Sequence, residues 1–170
     1  MWLPTKMFRT STFLGYIALS LCILVTAGCG FTLKQASNLP TDLQQLTFSA
    51  VDPQSDLYRI MKKQFSLAKI DYKNEVRADR AELTLLSDQL DRRTLSLFPN
   101  GQVAEYELTY GVRYQVTRPG AQATEQYFEI YRNYQDDPDS ALAKAKELEL
   151  ILSEMRLQAS RRIIRELAQL

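Results

Sequence analysis

The feature that most constrains how this chain folds is a strict alternation, from Ala104 to Thr117, of apolar or aromatic residues with mainly polar residues. An alternation of apolar and polar residues with a period of two is typical of a β-strand that buries one face and exposes the other. The pattern therefore predicts a long strand whose buried face is formed by Ala104, Tyr106, Leu108, Tyr110, Val112, Tyr114 and Val116.

Turn signals on both sides of this strand predict two hairpins. Asn100 and Gly101 precede the strand, and both residues tolerate the positive φ angles of a type I′ turn. A turn at residues 118–121 follows it, and residues 122–134 are predicted to return as the next strand.

The partner strand upstream, residues 83–98, changes the parity of its apolar positions. Its leucines at odd-numbered positions are Leu83, Leu85, Leu95 and Leu97. Its leucines at even-numbered positions are Leu86 and Leu90. Because a strand changes its buried face only where a residue is inserted, we expect a β-bulge or bend near residues 91–94.

One further strand and two helices are indicated by the remaining apolar patterns. Residues 46–50 alternate as a strand does. Ser55 or Asp56 can then cap a helix whose apolar positions share one side through Ala68. A second, longer helix follows residue 140 and reaches the end of the sequence.

The long helix carries two apolar rows. A broad row that runs from Leu148 to Leu167 is predicted to pack on the sheet. The second row lies on the opposite side of the helix and consists of Leu150, Leu157 and Ile164. This row either forms an interface with a partner or contacts the first helix.

The N-terminus has the pattern of a lipoprotein signal peptide. A basic start is followed by an apolar run, residues 13–25, which is shorter than the roughly 20 residues of a membrane-spanning helix. Small residues then directly precede Cys29. We therefore predict that residues 1–28 are cleaved, and that lipidated Cys29 begins a single domain formed by residues 29–170.

The residue after the cysteine and the charge balance indicate where this domain resides. An aspartate after the lipidated cysteine usually retains bacterial lipoproteins in the inner membrane, so Gly30 favours the outer membrane. Without Lys6 and Arg9 of the signal peptide, 19 basic residues stand against 20 acidic residues. This balance gives no basic field, so no nucleic-acid partner is expected.

The sequence predicts no catalytic residue, no metal site and no cofactor. It contains no histidine, which removes the usual general base and the commonest zinc ligand. The aspartates at 136, 137 and 139 are explained by a helix start, whose dipole favours acidic residues. A hydrolase with a Ser–Lys pair is still open as an alternative, although no motif supports it.

Four segments, which cover most of the mature chain, resemble the LptE family of lipopolysaccharide-assembly lipoproteins, also called RlpB. They are residues 26–31, 98–106, 137–144 and 154–167, and the second, which contains Asn-Gly-Gln and Ala-Glu-Tyr, is fairly specific. The resemblance implies an α+β fold in which two helices pack on a four-stranded, mostly antiparallel sheet. This agrees with the elements counted above.

The resemblance also implies a non-enzymatic function. Family members lodge as a plug in the lumen of the outer-membrane β-barrel LptD, and the pair inserts lipopolysaccharide into the outer leaflet. They also help the barrel to fold and bind lipopolysaccharide directly. The expected partners are therefore LptD, lipopolysaccharide and, through a lipid anchor on the periplasmic side, the outer membrane.

The family binds lipopolysaccharide through basic residues at the hairpin tip and at the start of the last helix. Lys144 matches the second position, whereas the tip has Pro99 in place of arginine. Arg92 and Arg93, upstream on the same hairpin, are candidates to replace that arginine. A solvent-exposed strand face is the alternative interpretation of both.

The hairpin tip formed by Phe98, Pro99, Asn100 and Gly101 is predicted to insert into the barrel. Phe98 is large and apolar at a place beside a tight turn where polar residues are usual. The alternative function is a free lipid-binding or carrier lipoprotein of the outer membrane. Such a carrier needs an apolar cavity, for which a sheet covered by two helices leaves little room.

Overall fold

Five strands form one mixed sheet in a computed structural model that describes residues 39–75, 77 and 79–170. Both helices lie on the same side of this sheet, where they contact each other. The strands are β1 (Gln45–Ala50), β2 (Asp71–Lys73), β3 (Ala81–Leu97), β4 (Val103–Thr117) and β5 (Thr124–Gln135), and the helices are α1 (Asp56–Leu67) and α2 (Ala141–Leu167).

The topology corrects the sheet expected from the sequence, which had four strands. The spatial order is β2-β1-β3-β4-β5; β1 runs parallel to both of its neighbours, whereas β3, β4 and β5 are antiparallel. The missed strand is β2, which has three residues and too short a pattern to detect. Its Tyr72 ring lies 6.2 Å from the ring of Phe48 and 5.7 Å from that of Phe65.

The alternation in β4 is confirmed, because its even-numbered side chains from Leu108 to Val116 are all buried beneath the helices. Ala104 and Tyr106 are only half-buried, and every residue from Asp91 to Gln102 is exposed. The β3–β4 hairpin therefore extends beyond the part of the sheet that the helices cover.

The residue inserted into β3 lies nearer the start of the strand than the bulge that was expected near residues 91–94. Pairing with β4 shifts by one residue between Leu85 and Ser87, and is then regular until Thr94. The inserted residue Leu86 keeps Leu90, which pairs with Tyr110, on the buried face. Further shifts between residues 94 and 97 lie next to the hairpin tip.

The hairpin at residues 98–102 is confirmed, but its predicted type I′ turn is wrong. The amide of Gly101 donates to the carbonyl oxygen of Phe98 at 2.9 Å, and Gly101 alone in this loop has a positive φ, +85°. Pro99 occupies the second position of the turn, where its fixed φ favours type I over the primed turns. Asn100 instead accepts a hydrogen bond from the amide of Gln102, at 3.0 Å.

The core between β1 and α1 is aromatic. Phe48 is fully buried; its ring stacks on Tyr58 at 4.8 Å and meets the edge of Phe65 at 5.0 Å. Ser55 caps α1, as one of the two expected candidates, because its hydroxyl accepts from the amide of Tyr58. These contacts fix α1 against the parallel part of the sheet.

The N-terminal limit of the packed domain lies at or before Leu39. The polar composition of residues 31–41 predicts a tether that ends at Thr41, but Leu39 within it is buried, as is Leu43 directly after it. The signal peptide, Cys29 and residues 30–38 lie outside the described residues. In the part of the chain that is described, no helix has the length and apolar character needed to cross a membrane.

Two buried tyrosines tie the sheet to polar groups. The hydroxyl of Tyr110 donates to Asp88 at 2.6 Å, and that of Tyr114 donates to Glu166 of α2 at 2.5 Å. Burial, and after it the hydrogen bond to a carboxylate, raises the pKa of both phenols well above the ordinary value. Both groups therefore hold their protons more tightly in the folded chain than in the unfolded chain.

We expect this linkage to appear as a loss of stability in alkali. Because both pKa values are raised on folding, the free energy of unfolding is unaffected below pH about 10, the pKa of a free tyrosine, and falls above it. The double variant Tyr110→Phe/Tyr114→Phe should be less stable at pH 7 and should lose stability less steeply above pH 10. Urea unfolding between pH 7 and 11 measures both effects, and an unchanged alkaline slope in the variant would contradict this account.

Candidate functional site

The hairpin tip faces the turn that precedes α2 across a shallow groove of about 410 Å³. Phe98, Pro99, Asn100 and Gln102 line one side of the groove, and residues 137–139 line the other. The amide of Asp136 donates to the carbonyl oxygen of Ala104 at 2.9 Å, which holds the two sides together behind the groove. The tip and the start of α2 thus form one end of the domain.

Phe98 lies outside the hydrophobic core and is 39% exposed. Its neighbours Pro99, Asn100 and Gly101 are also exposed, as expected for a projecting tip. The turn itself is ordered by two backbone hydrogen bonds, one of which joins the amide of Phe98 to the carbonyl oxygen of Gln102 at 2.8 Å. The tip is therefore a firm projection with an accessible aromatic ring.

Lys144 lies in the first turns of α2, where its side chain is mostly covered. Its ammonium group is 2.9 Å from a carboxylate oxygen of Glu147 and 5.3 Å above the ring centre of Tyr134. The hydrogen bond to Glu147 raises the pKa of Lys144, so the group is cationic at neutral pH. An anionic ligand that reaches Lys144 has to compete with Glu147.

The structure separates the two arginines that were expected to act together. Arg92 pairs with Leu108 and shares the face of the sheet that carries the helices, whereas Arg93 pairs with Glu107 on the other face. The guanidinium of Arg93 also forms an ion pair with Glu107 at 2.8 Å. Only Arg92 lies on the same side of the sheet as Lys144.

Tyr134 of β5 contacts Lys144 near the start of α2. Its hydroxyl donates to the backbone carbonyl oxygen of Lys144 at 2.9 Å. Burial, and after it the charge of Asp136, raises the pKa of Tyr134, whereas the charge of Lys144 acts to lower it. Sequence reasoning missed this contact, because it depends on where α2 begins relative to β5.

The second apolar row of α2 does not form a continuous interface. Leu150 is 60% exposed, Leu157 is half-buried, and Ile164 is only 6% exposed and belongs to the core. The row that packs on the sheet is confirmed at Met155 and Ile163, which are fully buried. Of the predicted partner-binding row, Leu150 alone offers a large apolar surface.

The acidic residues before α2 cap a short 3₁₀ turn, Pro138–Ser140, and α2 itself begins after Ser140 without a side-chain cap. A carboxylate oxygen of Asp137 accepts from the amide of Asp139 at 3.1 Å, and that of Asp136 accepts from the amide of Asp137 at 3.0 Å. No group of three or more acidic or cysteine side chains with the geometry of a metal site occurs among the described residues.

Comparison with known proteins assigns the family. The model of the LptE family, described as lipopolysaccharide-assembly, matches residues 43–167, which is well over half of the chain. The chain belongs to the LptE family. It is 36% identical over 152 residues to the LPS-assembly lipoprotein LptE of Yersinia enterocolitica, with 89% of this chain and 73% of the relative covered.

Solved structures of LptE relatives share the α+β fold. The crystal structure of rare lipoprotein B from Shewanella oneidensis is 42% identical with a TM-score of 0.68, over 74% of this chain and 94% of that one. The solution structure of a lipoprotein B from Nitrosomonas europaea is 25% identical with a TM-score of 0.66, over 82% and 90% of the two chains.

Proposed function

We propose that this protein is a non-enzymatic outer-membrane lipoprotein that plugs the LptD barrel and assists the insertion of lipopolysaccharide into the outer leaflet. The observation that carries the proposal is the match of residues 43–167 to the lipopolysaccharide-assembly family. The long hairpin that projects beyond the helices supports it, because such a projection suits insertion into a lumen better than burial in the domain's own core.

A carrier function is the weaker alternative. A lipid carrier needs an apolar cavity between the sheet and the helices. That layer is occupied by fully buried side chains from both sides, among them Phe48, Leu108, Met61, Met155 and Ile163. A plug with a filled core therefore fits this domain better than a container.

The lipid anchor is tested at Cys29. Mass spectrometry of the protein purified from membranes should find a mature chain that begins at acylated Cys29. Cys29→Ala should abolish this processing, whereas Cys22→Ala, within the predicted signal peptide, should leave it intact. A full-length chain that still begins with Met1, or a mature chain with an unmodified thiol at Cys29, would contradict the anchor.

The hairpin tip is tested by replacing its exposed ring. Photo-crosslinkers at Phe98 and Asn100 should capture the barrel in cells. Phe98→Glu should reduce the yield of the barrel complex and leave the melting temperature of the isolated domain nearly unchanged, because Phe98 lies outside the core. Leu67→Glu, which charges a still more accessible apolar residue at the end of α1, is the control and should assemble normally.

Two results would reject this role for the tip. The first is a large fall in melting temperature for Phe98→Glu, which would make Phe98 a core residue. The second is a set of crosslinks confined to the domain itself. If the barrel fails to co-purify with the tagged unmodified protein, the plug function is itself rejected.

Lipopolysaccharide binding is proposed at Lys144, which lies over the ring of Tyr134, and at Arg92, which lies on the face of the sheet that carries the helices. Lys144→Asp should weaken binding about tenfold, because a hydrogen bond to a charged group contributes about 1.5–3 kcal/mol. Lys146→Asp makes the same charge change at an exposed position of α2 and should have little effect. Glu147→Gln removes the competing carboxylate and should strengthen binding.

Arg93 serves as the second control, because it lies on the other face and is paired with Glu107. Arg93→Ala should bind lipopolysaccharide as the unmodified protein does, whereas Arg92→Ala should bind more weakly. Equal affinities for Lys144→Asp, Lys146→Asp and the unmodified protein at low salt would show that Lys144 is only a surface charge.

A further inference from the structure

The overall charge balance of the mature chain conceals an uneven distribution. Residues 56–69, which are α1 and the two residues after it, and residues 154–170, which are the second half of α2 and its end, carry eight basic residues against three acidic ones. The uncovered face of the sheet has the opposite sign, with five acidic and two basic residues at alternate positions within 87–93, 105–115 and 125–135. The domain is therefore polarised, with its positive charge on the helices.

The two basic segments lie side by side. The guanidinium of Arg156 in α2 forms an ion pair with Asp56, the first residue of α1, at 2.9 Å. Both helices run in the same direction, because α1 joins β1 to the parallel strand β2, and α2 returns along β5, which has the same direction as β1 and β3. The outer surfaces of residues 56–69 and 154–170 therefore form one continuous surface, the helix layer.

Five cations of the helix layer form no ion pair with any described residue. They are Lys62, Lys63, Lys69, Arg161 and Arg165. All of them except Lys62 are exposed, and the ammonium group of Lys62 lies 5.2 Å from the ring centre of Tyr58. By contrast, both arginines of the uncovered sheet face form ion pairs within that face. The positive charge of the helix layer is therefore available to an external anion.

The predicted attachment of the chain limits what this layer can meet. The packed domain begins at the end of the sheet where α2 finishes, since Leu170 lies beside Arg118 and the guanidinium of Arg118 is 3.2 Å from a carboxylate oxygen of Asp42. Cys29, the predicted site of the lipid, precedes the buried Leu39 by ten residues, which span at most about 36 Å when fully extended. The lipid would thus confine the domain close to the phospholipid head groups.

Electrostatics decides which side of a confined domain turns toward the bilayer. A leaflet that contains anionic phospholipids has a negative surface potential, which attracts Lys and Arg side chains and repels carboxylates. This attraction extends over about one Debye length, about 8 Å at physiological salt, so the cations have to approach the head groups closely. Contact through the helix layer brings unpaired cations to the head groups and keeps the acidic face of the sheet away from them.

We propose that, in the anchored chain outside a barrel, the helix layer docks on the phosphate head groups of an anionic phospholipid leaflet through the unpaired cations of α1 and α2. This inference rests on the proposed lipid anchor at Cys29. The lipid holds the chain to the membrane, and the helix layer orients the domain on it. The hairpin tip, residues 94–103, carries no charged side chain by which to bind the leaflet, so it stays available to the barrel.

The test measures which side of the anchored domain lies near the membrane. The mature lipidated chain is reconstituted in vesicles of phosphatidylcholine alone, or of phosphatidylcholine and phosphatidylglycerol in equal amounts. Because Cys29 is the only cysteine of the mature chain, Ser66→Cys in the helix layer or Asn133→Cys on the uncovered sheet face provides one free thiol for a fluorophore. Energy transfer to a head-group acceptor should be stronger from position 66 than from position 133 in the anionic vesicles. The two positions should be equal in neutral vesicles and at high salt.

Three results would overturn the proposal. Equal transfer from the two positions in anionic vesicles, or stronger transfer from position 133, would reject the docking surface and leave the anchor standing. A difference that appears with lipopolysaccharide in the vesicles but not with phosphatidylglycerol would make the layer a glycolipid site instead. If the mature chain fails to associate even with neutral vesicles, the anchor is rejected, and the docking surface with it.

Substitutions on each helix test the contacts themselves. Arg161→Gln/Arg165→Gln in α2 and Lys63→Gln/Lys69→Gln in and after α1 each remove two exposed, unpaired cations. Each cation lost should shift the equilibrium between docked and undocked domain about fivefold toward the undocked state, so either double variant should shift it about 25-fold. The melting temperature should not change, because none of the four side chains belongs to the core.

The matched control removes two cations from the other side of the domain. Arg93→Gln/Arg113→Gln makes the same change in net charge on the uncovered sheet face and should keep the difference between positions 66 and 133. An equal loss in this control and in the helix-layer variants would show that net charge alone matters, which would contradict docking through this layer. Unchanged energy transfer in both helix-layer variants would contradict it as well.

Discussion

Burial of one face of the sheet under two helices that contact each other is the constraint on which the rest of this structure depends. Full burial of a large apolar side chain contributes about 1.5–3 kcal/mol, and β4 supplies such side chains only at its even-numbered positions. The odd-numbered positions make no comparable contribution, so packing of the core does not constrain them. The alternation in one strand thus separates the residues that stabilise the domain from those available for recognition.

The long β3–β4 hairpin follows from the same constraint. Backbone pairing with β4 continues to Leu97, but every residue from Asp91 onwards in β3 is exposed. That part of the hairpin is therefore held by ladder hydrogen bonds and by the turn at Gly101 more than by the core. The inserted Leu86 keeps the apolar residues of β3 on the buried face, although the outer part of the strand extends beyond the core. A core mutation and a tip mutation should consequently affect different properties.

The sequence predicted those parts of the fold that local pattern determines, and missed those that depend on distant contacts. Alternation and turn residues located β4, β5 and the hairpin, and Ser55 was one of two candidates for the cap of α1. The parallel pairing of β1, the three-residue β2 and the bulge at Leu86 depend on which strands become neighbours. For the same reason Arg92 and Arg93 looked equivalent, and Ile164 looked exposed until α2 was placed against α1 and the sheet.

The family assignment and the physical features of this domain support one mode of action. Because the tip is already closed by its own hydrogen bonds, little ordering of its backbone remains to oppose the proposed association with a barrel. Lys144 differs, because Glu147 holds it and an anion must displace that carboxylate. The proposed barrel contact would thus use preformed surface, whereas the proposed lipopolysaccharide contact would require exchange of an existing ion pair.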